Sequence, residues 1–353
     1  MKVGLLNLPY DENYGGNLQR FALMKTLESM GHDVIHLNLR FKWKLPWYKK
    51  PYVYLRRLLI KIFKNHQAIV FYEQYSQKKY LNKCEVTDSF YDEHIKHTAI
   101  ISNHADFLKY KDYDAYIVGS DQVWRKSIAD KYLPKFFLDF LKDINVPKIA
   151  FAVSFGTNES ELTDEEIVKY GLLYSKFNAV SVREICSVSL LEKYGWTSPR
   201  PIHLLDPTFL LSKEEYLDIS EENNVEVQSL AFCYILDINN EKKSIINEIC
   251  ELRNLHPYMI TLGDKVSIPQ WLGLFNKAEF VITDSYHGLV FSLIFNKPYK
   301  LIRNSFRGNA RFDSIFEIFG LTDYEEKPDW GMINSIIENN KKTAIEFLLN
   351  LEK

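Results

Sequence analysis

KVGLLNLPYDENYGGNLQRFALMKTLESMGHDVIHLNL, residues 2–39, is the stretch that decides the fold. Lys2 to Leu8 is a short apolar run that ends in a loop holding Asn13, Tyr14, Gly15 and Gly16. Leu18 to Met30 has amphipathic spacing and stops at Gly31. Asp33 to Leu39 is apolar again. Strand, glycine-bearing turn, helix, glycine stop and strand make a βαβ unit. Crossovers of this kind are right-handed and build parallel sheets. Ligands of such sheets bind beyond the carboxyl ends of the strands.

The alternation resumes downstream. Apolar runs at Asp114–Gly119, Pro147–Ser154, Ala179–Val182 and Pro201–Leu205 read as strands. Thr163 followed by Glu166 is a capping signature that opens a helix to about Tyr174. Glu184 to Tyr194 reads as a helix closed by Gly195. A charged piece, KEEYLDISEENN, then marks a junction, and a second series begins at Ser229. Strands are expected at Ser229–Leu236, Tyr258–Leu262, Glu279–Thr283 and Tyr299–Ile302. Helices are expected at Lys242–Arg253, Pro269–Asn276, Tyr286–Phe295, Arg311–Phe319 and Met332–Leu351. The chain has 353 residues, and at roughly 100–200 residues per domain this suggests two domains. The boundaries read as 1–206, a junction at 207–228, and 229–353 with a terminal helix.

Residues 40–110 interrupt the pattern as a helical insertion. Phe41 to Tyr72 holds eight Lys and Arg residues, no acid, and Trp43, Trp47, Tyr48, Tyr52 and Tyr54. The readings are a solvated basic face, a surface for anionic lipid headgroups or a lipid-diphosphate sugar, and RNA binding, which the overall charge does not support.

The charge balance, 44 basic against 46 acidic residues, argues against a nucleic-acid partner. Cys84, Cys186, Cys233 and Cys250 form no CxxC pair and read as reduced thiols of a cytosolic protein. The N-terminal apolar run is too short for a signal peptide, and no stretch is apolar enough to span a membrane. No metal-ligand spacing appears.

Five segments carry polar groups where strands give way to helices. In Asn13-Tyr14-Gly15-Gly16-Asn17-Leu18-Gln19, the glycines admit a close ligand, and Asn17 and Gln19 suit sugar hydroxyls. Gly119-Ser120-Asp121-Gln122-Val123-Trp124 offers hydroxyl, carboxylate, amide and indole together. Ser154-Phe155-Gly156 is a third strand exit. In Ser181-Val182-Arg183-Glu184, the arginine suits a carboxylate or phosphate, or a plain ion pair with Glu184. Thr283-Asp284-Ser285-Tyr286-His287-Gly288 sets an acid–base group in the first turn of a helix. Arg303, Arg307 and Arg311 follow as candidate anion ligands.

Taken together and in this order, the five segments and Asp206-Pro207-Thr208 resemble the polysaccharide pyruvyl transferase family over about residues 1–320. The resemblance implies an α/β fold: two Rossmann-like domains in a glycosyltransferase-B-like arrangement with a cleft between them. It implies transfer of a pyruvyl group from phosphoenolpyruvate, as co-substrate and with no cofactor or metal, to a sugar, closing a cyclic ketal. The acceptor is then a cell-surface polysaccharide sugar or its lipid-linked precursor. The reduced cysteines and the basic-aromatic insertion, read by themselves, lead to the expectation of a cytoplasmic protein with peripheral contact at the inner membrane face. His287 and Arg183 are the implied catalytic residues, and Asp121, from its place at a strand exit, is the candidate base on the acceptor hydroxyl. Donor binding falls to Arg183, Ser285, His287, Arg307 and Arg311. Acceptor binding falls to Asn13, Tyr14, Gly15, Gly16, Asn17, Gln19, Ser120, Gln122 and Trp124. The alternatives are a nucleotide-sugar-dependent glycosyltransferase on the same fold, or a non-catalytic carbohydrate-binding relative.

Overall fold

The computed structural model describes residues 1–221, 228–303 and 309–352. The first sheet holds β1 (Lys2–Leu6), β2 (Asp33–His36), β3 (Ala115–Val118), β4 (Lys148–Val153), β5 (Ala179–Val182) and β6 (Ile202–His203). Their order is β2-β1-β3-β4-β5-β6, and every pairing is parallel. The second sheet holds β7 (Leu230–Ile235), β8 (His256–Thr261), β9 (Phe280–Thr283), β10 (Tyr299–Leu301) and β11 (Tyr324–Glu325), in the order β11-β10-β9-β7-β8. It is parallel except for β11, an antiparallel edge pair with β10 that the sequence reading did not anticipate.

Strands β3, β4, β5, β7 and β9 are buried along their whole length. That follows from helices covering both faces of a parallel sheet, and it explains their unbroken apolar runs. Strand β2 stops at His36, shorter than the run to Leu39, and Leu37 and Leu39 continue as buried loop. The chain is thus two Rossmann-like units in a glycosyltransferase-B-like arrangement.

Helix α1 (Tyr14–Ser29) is the wedge between them. It is buried on nearly every side, as expected of a helix packed on several neighbours at once. At its start, the Tyr14 hydroxyl donates to the Val266 carbonyl at 2.5 Å, and its ring packs on Tyr234 and Trp271. A second tie runs from the Ile185 N–H to Ser314 Oγ at 3.1 Å. The last helix, Trp330–Leu348, returns to the first sheet. Its Phe347 meets Phe151 of β4 with ring centroids 6.0 Å apart, and Asn340 accepts from the Leu205 N–H at 3.1 Å. This terminal helix, which the sequence places with the second unit, thus also packs against the core of the first.

The insertion consists mainly of α2 (Lys50–Phe63) and α3 (Tyr72–His94). Helix α3 packs on α1, and its Tyr80 hydroxyl donates to the Tyr10 carbonyl in the loop before α1. Within the basic-aromatic run, Trp43 packs against Phe41 and Tyr80, while Trp47 is 81% exposed.

Candidate active site

Both sheets end their parallel strands at the same interdomain cleft. From the first unit come the loops after β1, β3, β4 and β5; from the second, those after β7 and β9. Two helix starts meet there. Asn13 caps α1 by accepting from the Gly16 N–H at 3.2 Å, and Ser285 caps the helix Tyr286–Ile294 by accepting from the Gly288 N–H at 3.4 Å. They meet at Gly15 and His287. A Cβ on Gly15 would lie 1.9 Å from Nδ1 of His287, so only glycine allows this approach.

Behind His287 lies a buried ionic cluster. Asp206 Oδ2 accepts from Arg183 Nη1 at 2.8 Å and from Gln19 Nε2 at 2.5 Å, and stands 3.7 Å from His287 Nε2. Its other oxygen accepts from the N–H and hydroxyl of Thr208. Burial would push this carboxyl up, but His287, Arg183 and the Thr208 N–H hold it well below the usual carboxylate range. Glu184 completes the cluster, accepting from Ser154 Oγ at 2.5 Å and Ser187 Oγ at 3.0 Å while facing Arg183 Nε at 3.5 Å. Burial works against the charge on Arg183; Tyr286, Asp206, Glu184 and Asp121 outweigh it and raise its pKa. His287 Nε2 and Arg183 Nη2 are buried without a hydrogen-bond partner among the described residues.

The open part of the cleft is a polar cavity of about 490 Å³. Its walls include Asp11, Asn13, Gly16, Arg20, Asp121, Gln122 and Arg125 from the first unit, and Asp237 and Arg311 from the second. Arg183 and Arg311 both lie against the Tyr286 ring, at 4.7 and 5.3 Å from its centroid. Burial keeps the Tyr286 hydroxyl protonated by raising its pKa. Burial and the charge of Arg183 lower the pKa of Arg311, though an arginine stays charged at neutral pH. Asp11 is pushed up to about 6 by burial, against the pull of Arg20. Asp121 sits at φ 86°, a strained value for a residue with a side chain, and its carboxylate accepts from the Gln122 N–H at 2.8 Å.

Several expected site residues turn inward instead. Trp124 is a core residue: its indole donates to the Phe136 carbonyl at 3.0 Å and stacks on Phe137. Asn17 is buried, donating to the Asp11 and Asn13 carbonyls and accepting from Arg20 at 2.9 Å. Gln19 joins Asp206 to Ser120, with Ser120 itself fully buried. Tyr14 ties the two units together. Arg183 is enclosed by Asp206, Glu184 and Asp121, so it organises the cluster behind the cavity. The Ser285 hydroxyl is engaged in capping. Asp284 is spent on the backbone N–H groups of Leu236 and Asp237 and on Lys242. Arg307 lies outside the described residues. Asn13, Gly16, Asp121, Gln122 and Arg311 line the cavity.

The sequence reading missed Asp11, Arg20 and Asp237 as members of the site, and quoted Glu184, Asp206 and Tyr286 within motifs without giving them a site role beyond the Arg183–Glu184 ion pair, which the structure shows. Asp206 stood in the pattern Asp-Pro-Thr, where a carboxylate caps the following turn, and that cap hid its second oxygen's role. Among the described residues, no group of three His, Cys, Asp or Glu side chains is arranged to hold a metal ion.

The polysaccharide pyruvyl transferase profile matches residues 13–302, which is most of the chain. The chain belongs to the polysaccharide pyruvyl transferase family and is a transferase. No curated protein matches it. Among solved structures, it is similar to Staphylococcus aureus MnaA with UDP, at 11% identity and TM-score 0.53, over 96% of this chain and 87% of that one. The UDP-GlcNAc 2-epimerase of Neisseria meningitidis bound to UDP-GlcNAc superposes at 11% identity and TM-score 0.49, over 99% and 100% of the two chains. These likenesses concern the fold alone.

Proposed function

We propose that the cleft transfers a pyruvyl group from phosphoenolpyruvate to two hydroxyls of one sugar, releasing phosphate and closing a cyclic ketal. The supporting observation is Arg311 in the wall of a polar cavity, its guanidinium 5.3 Å from the Tyr286 ring centroid, with the buried His287 ring 5.2 Å from Tyr286 behind it. Phosphoenolpyruvate carries a carboxylate and a phosphate on one enol carbon, and Arg20, Arg125 and Arg311 supply the cationic wall for them. His287, in its protonated form, gives a proton to the methylene carbon, which leaves C2 electrophilic. Asp206 Oδ2 faces His287 Nε2 from 3.7 Å and places a carboxylate behind the ring. One sugar hydroxyl adds to C2 and loses its proton to a cleft carboxylate. Asp11, with a pKa near 6, is better matched to that task than an ordinary aspartate. Asp121 remains the second candidate base. The other hydroxyl then attacks C2 and returns a proton to His287 as the C2–O bond to phosphate breaks; the bonding pair leaves with the phosphate, which takes up the proton held by the cleft carboxylate.

Phosphoenolpyruvate is the co-substrate in this scheme, and no resident cofactor is required. The acceptor is a sugar of a cell-surface polysaccharide or its lipid-linked precursor. A second chamber of about 600 Å³, walled by Tyr14, Tyr75, Tyr234, Lys78 and Lys83 among others, offers room for it; its Glu12 and Leu236 are chain neighbours of Asp11, Asn13 and Asp237 in the polar cavity. The test is incubation with phosphoenolpyruvate and a panel of aryl and lipid-linked sugars. Phosphate release that requires a sugar, with a ketal mass gain on that sugar, supports the scheme. Sugar turnover that instead requires a nucleotide sugar refutes it.

A further inference from the structure

Helix α2 gains little from the fold. None of its residues is buried. One side touches the body: Arg57 pairs with Glu73 at 2.8 Å, and Tyr54 meets Phe71 edge-on. The other side carries Tyr52, Leu55, Leu59, Ile62 and Phe63, which recur at three- and four-residue steps and so share one face. Their exposures are 70, 58, 47, 51 and 77%. An ordinary surface helix turns such a stripe towards the core. This one turns it to water. Trp47 and Tyr48, in the short turn before the helix, extend the same exposed apolar surface.

The charge around this face selects what covers it. From Phe41 to Tyr72 there are eight basic residues and no acidic one. Two copies of the face brought together would oppose like charges, and interface cores are depleted in lysine. An anionic headgroup layer is the complement. Tyr and Trp beside an apolar stripe suit the headgroup level of a bilayer. The helix has 14 residues, too few to cross a hydrocarbon core that needs about 20.

We propose that α2, with Trp47, lies flat in the interface of an anionic bilayer, its apolar stripe in the acyl boundary and its lysines at the headgroups. The placement suits a catalyst of membrane-linked sugars. Beside α2, a cavity of about 810 Å³ is lined by Trp43, Lys50 and Tyr54 among others. Lys78 and Asn82 line both it and the 600 Å³ interdomain chamber. The proposal does not depend on which reaction the cleft performs.

The test uses the full chain and sucrose-loaded vesicles, either pure phosphatidylcholine or phosphatidylcholine with phosphatidylglycerol. The wild type is expected to sediment with the anionic vesicles, less with the neutral ones, and less as salt rises. The triple variant Leu55→Glu, Leu59→Glu, Ile62→Glu is expected to lose roughly tenfold or more in partitioning per substitution. Its melting curve should stay that of the wild type, because these side chains are exposed. Three results overturn the proposal: no sedimentation of the wild type with anionic vesicles, equal binding by the triple variant, or a wild-type dimer that the triple variant converts to monomer. The last would assign the face to a second copy.

Discussion

Gly15 and His287 touch across the two domains: a Cβ on Gly15 would stand 1.9 Å from His287 Nδ1 and 2.1 Å from Cγ. One glycine of the first unit therefore sets the position of the proposed acid on the second. Gly15→Ala must move the imidazole or open the cleft. Turnover is expected to fall about 10²-fold or more, towards the loss from His287→Ala, since positioned acid–base groups contribute about 10²–10⁴-fold. Gly16→Ala is the control, because the atoms nearest a Cβ there lie at 3.7 Å, an ordinary contact. Steady-state kinetics of the three variants check this, and equal losses for Gly15→Ala and Gly16→Ala would contradict it.

Asp206 compensates buried Arg183 at 2.8 Å and faces His287. Asp206→Asn leaves that arginine short of charge, at a cost of about 3–5 kcal/mol. The sign with pH follows from the direction of the shift. The carboxyl is held below its ordinary value when folded, so its contribution is present above the unfolded carboxylate pKa and is lost as pH falls further. Denaturant melts at pH 7 should show the full penalty, and melts in strong acid a smaller one.

Asp11 behaves in the opposite sense. Its folded pKa is raised from 3.8 to about 6. Its stabilising contribution is complete below about pH 4 and disappears as pH rises through 6. Asp11→Asn should therefore stabilise the protein at pH 7, by about 1–3 kcal/mol, and change little at pH 4. The same variant should lower kcat and remove an activity rise centred near pH 6. Thermal melts at the two pH values and a pH–rate profile check both halves.

Arg311 faces the cavity, whereas Arg183 is enclosed by three carboxylates. Arg311→Ala should raise the KM for phosphoenolpyruvate roughly tenfold or more with the fold intact, as charge-assisted hydrogen bonds contribute about 1.5–3 kcal/mol. Arg183→Ala should lower stability first. Initial-rate kinetics and melting curves on the two variants separate these roles.

Most of the fold was legible because parallel strands buried on both faces leave unbroken apolar runs, as at Ala115–Val118 and Phe280–Thr283. The short antiparallel β11, Tyr324–Glu325, left no such run. The return of the last helix to the first sheet left no local signal either, since Phe347 finds Phe151 only in three dimensions. In the site, strand exits pointed to the right loops. They did not tell which side chains face the cavity. Trp124 and Gln122 are neighbours in sequence, yet one stacks in the core and the other lines the cleft. Asp11 and Arg20 carry no local signal in the sequence, and only the packing of α1 between the two units turns them into cleft walls.

The most direct measurement is a thermal-shift titration of the wild type and Arg311→Ala with phosphoenolpyruvate, run beside UDP. Ligand at 100 times its Kd stabilises a folded protein by about 2.7 kcal/mol. The wild type is predicted to show a saturable rise in Tm with phosphoenolpyruvate, and Arg311→Ala to lose most of it, while UDP leaves both unchanged. A flat response to millimolar phosphoenolpyruvate, or a saturable rise with UDP alone, would contradict the proposed donor.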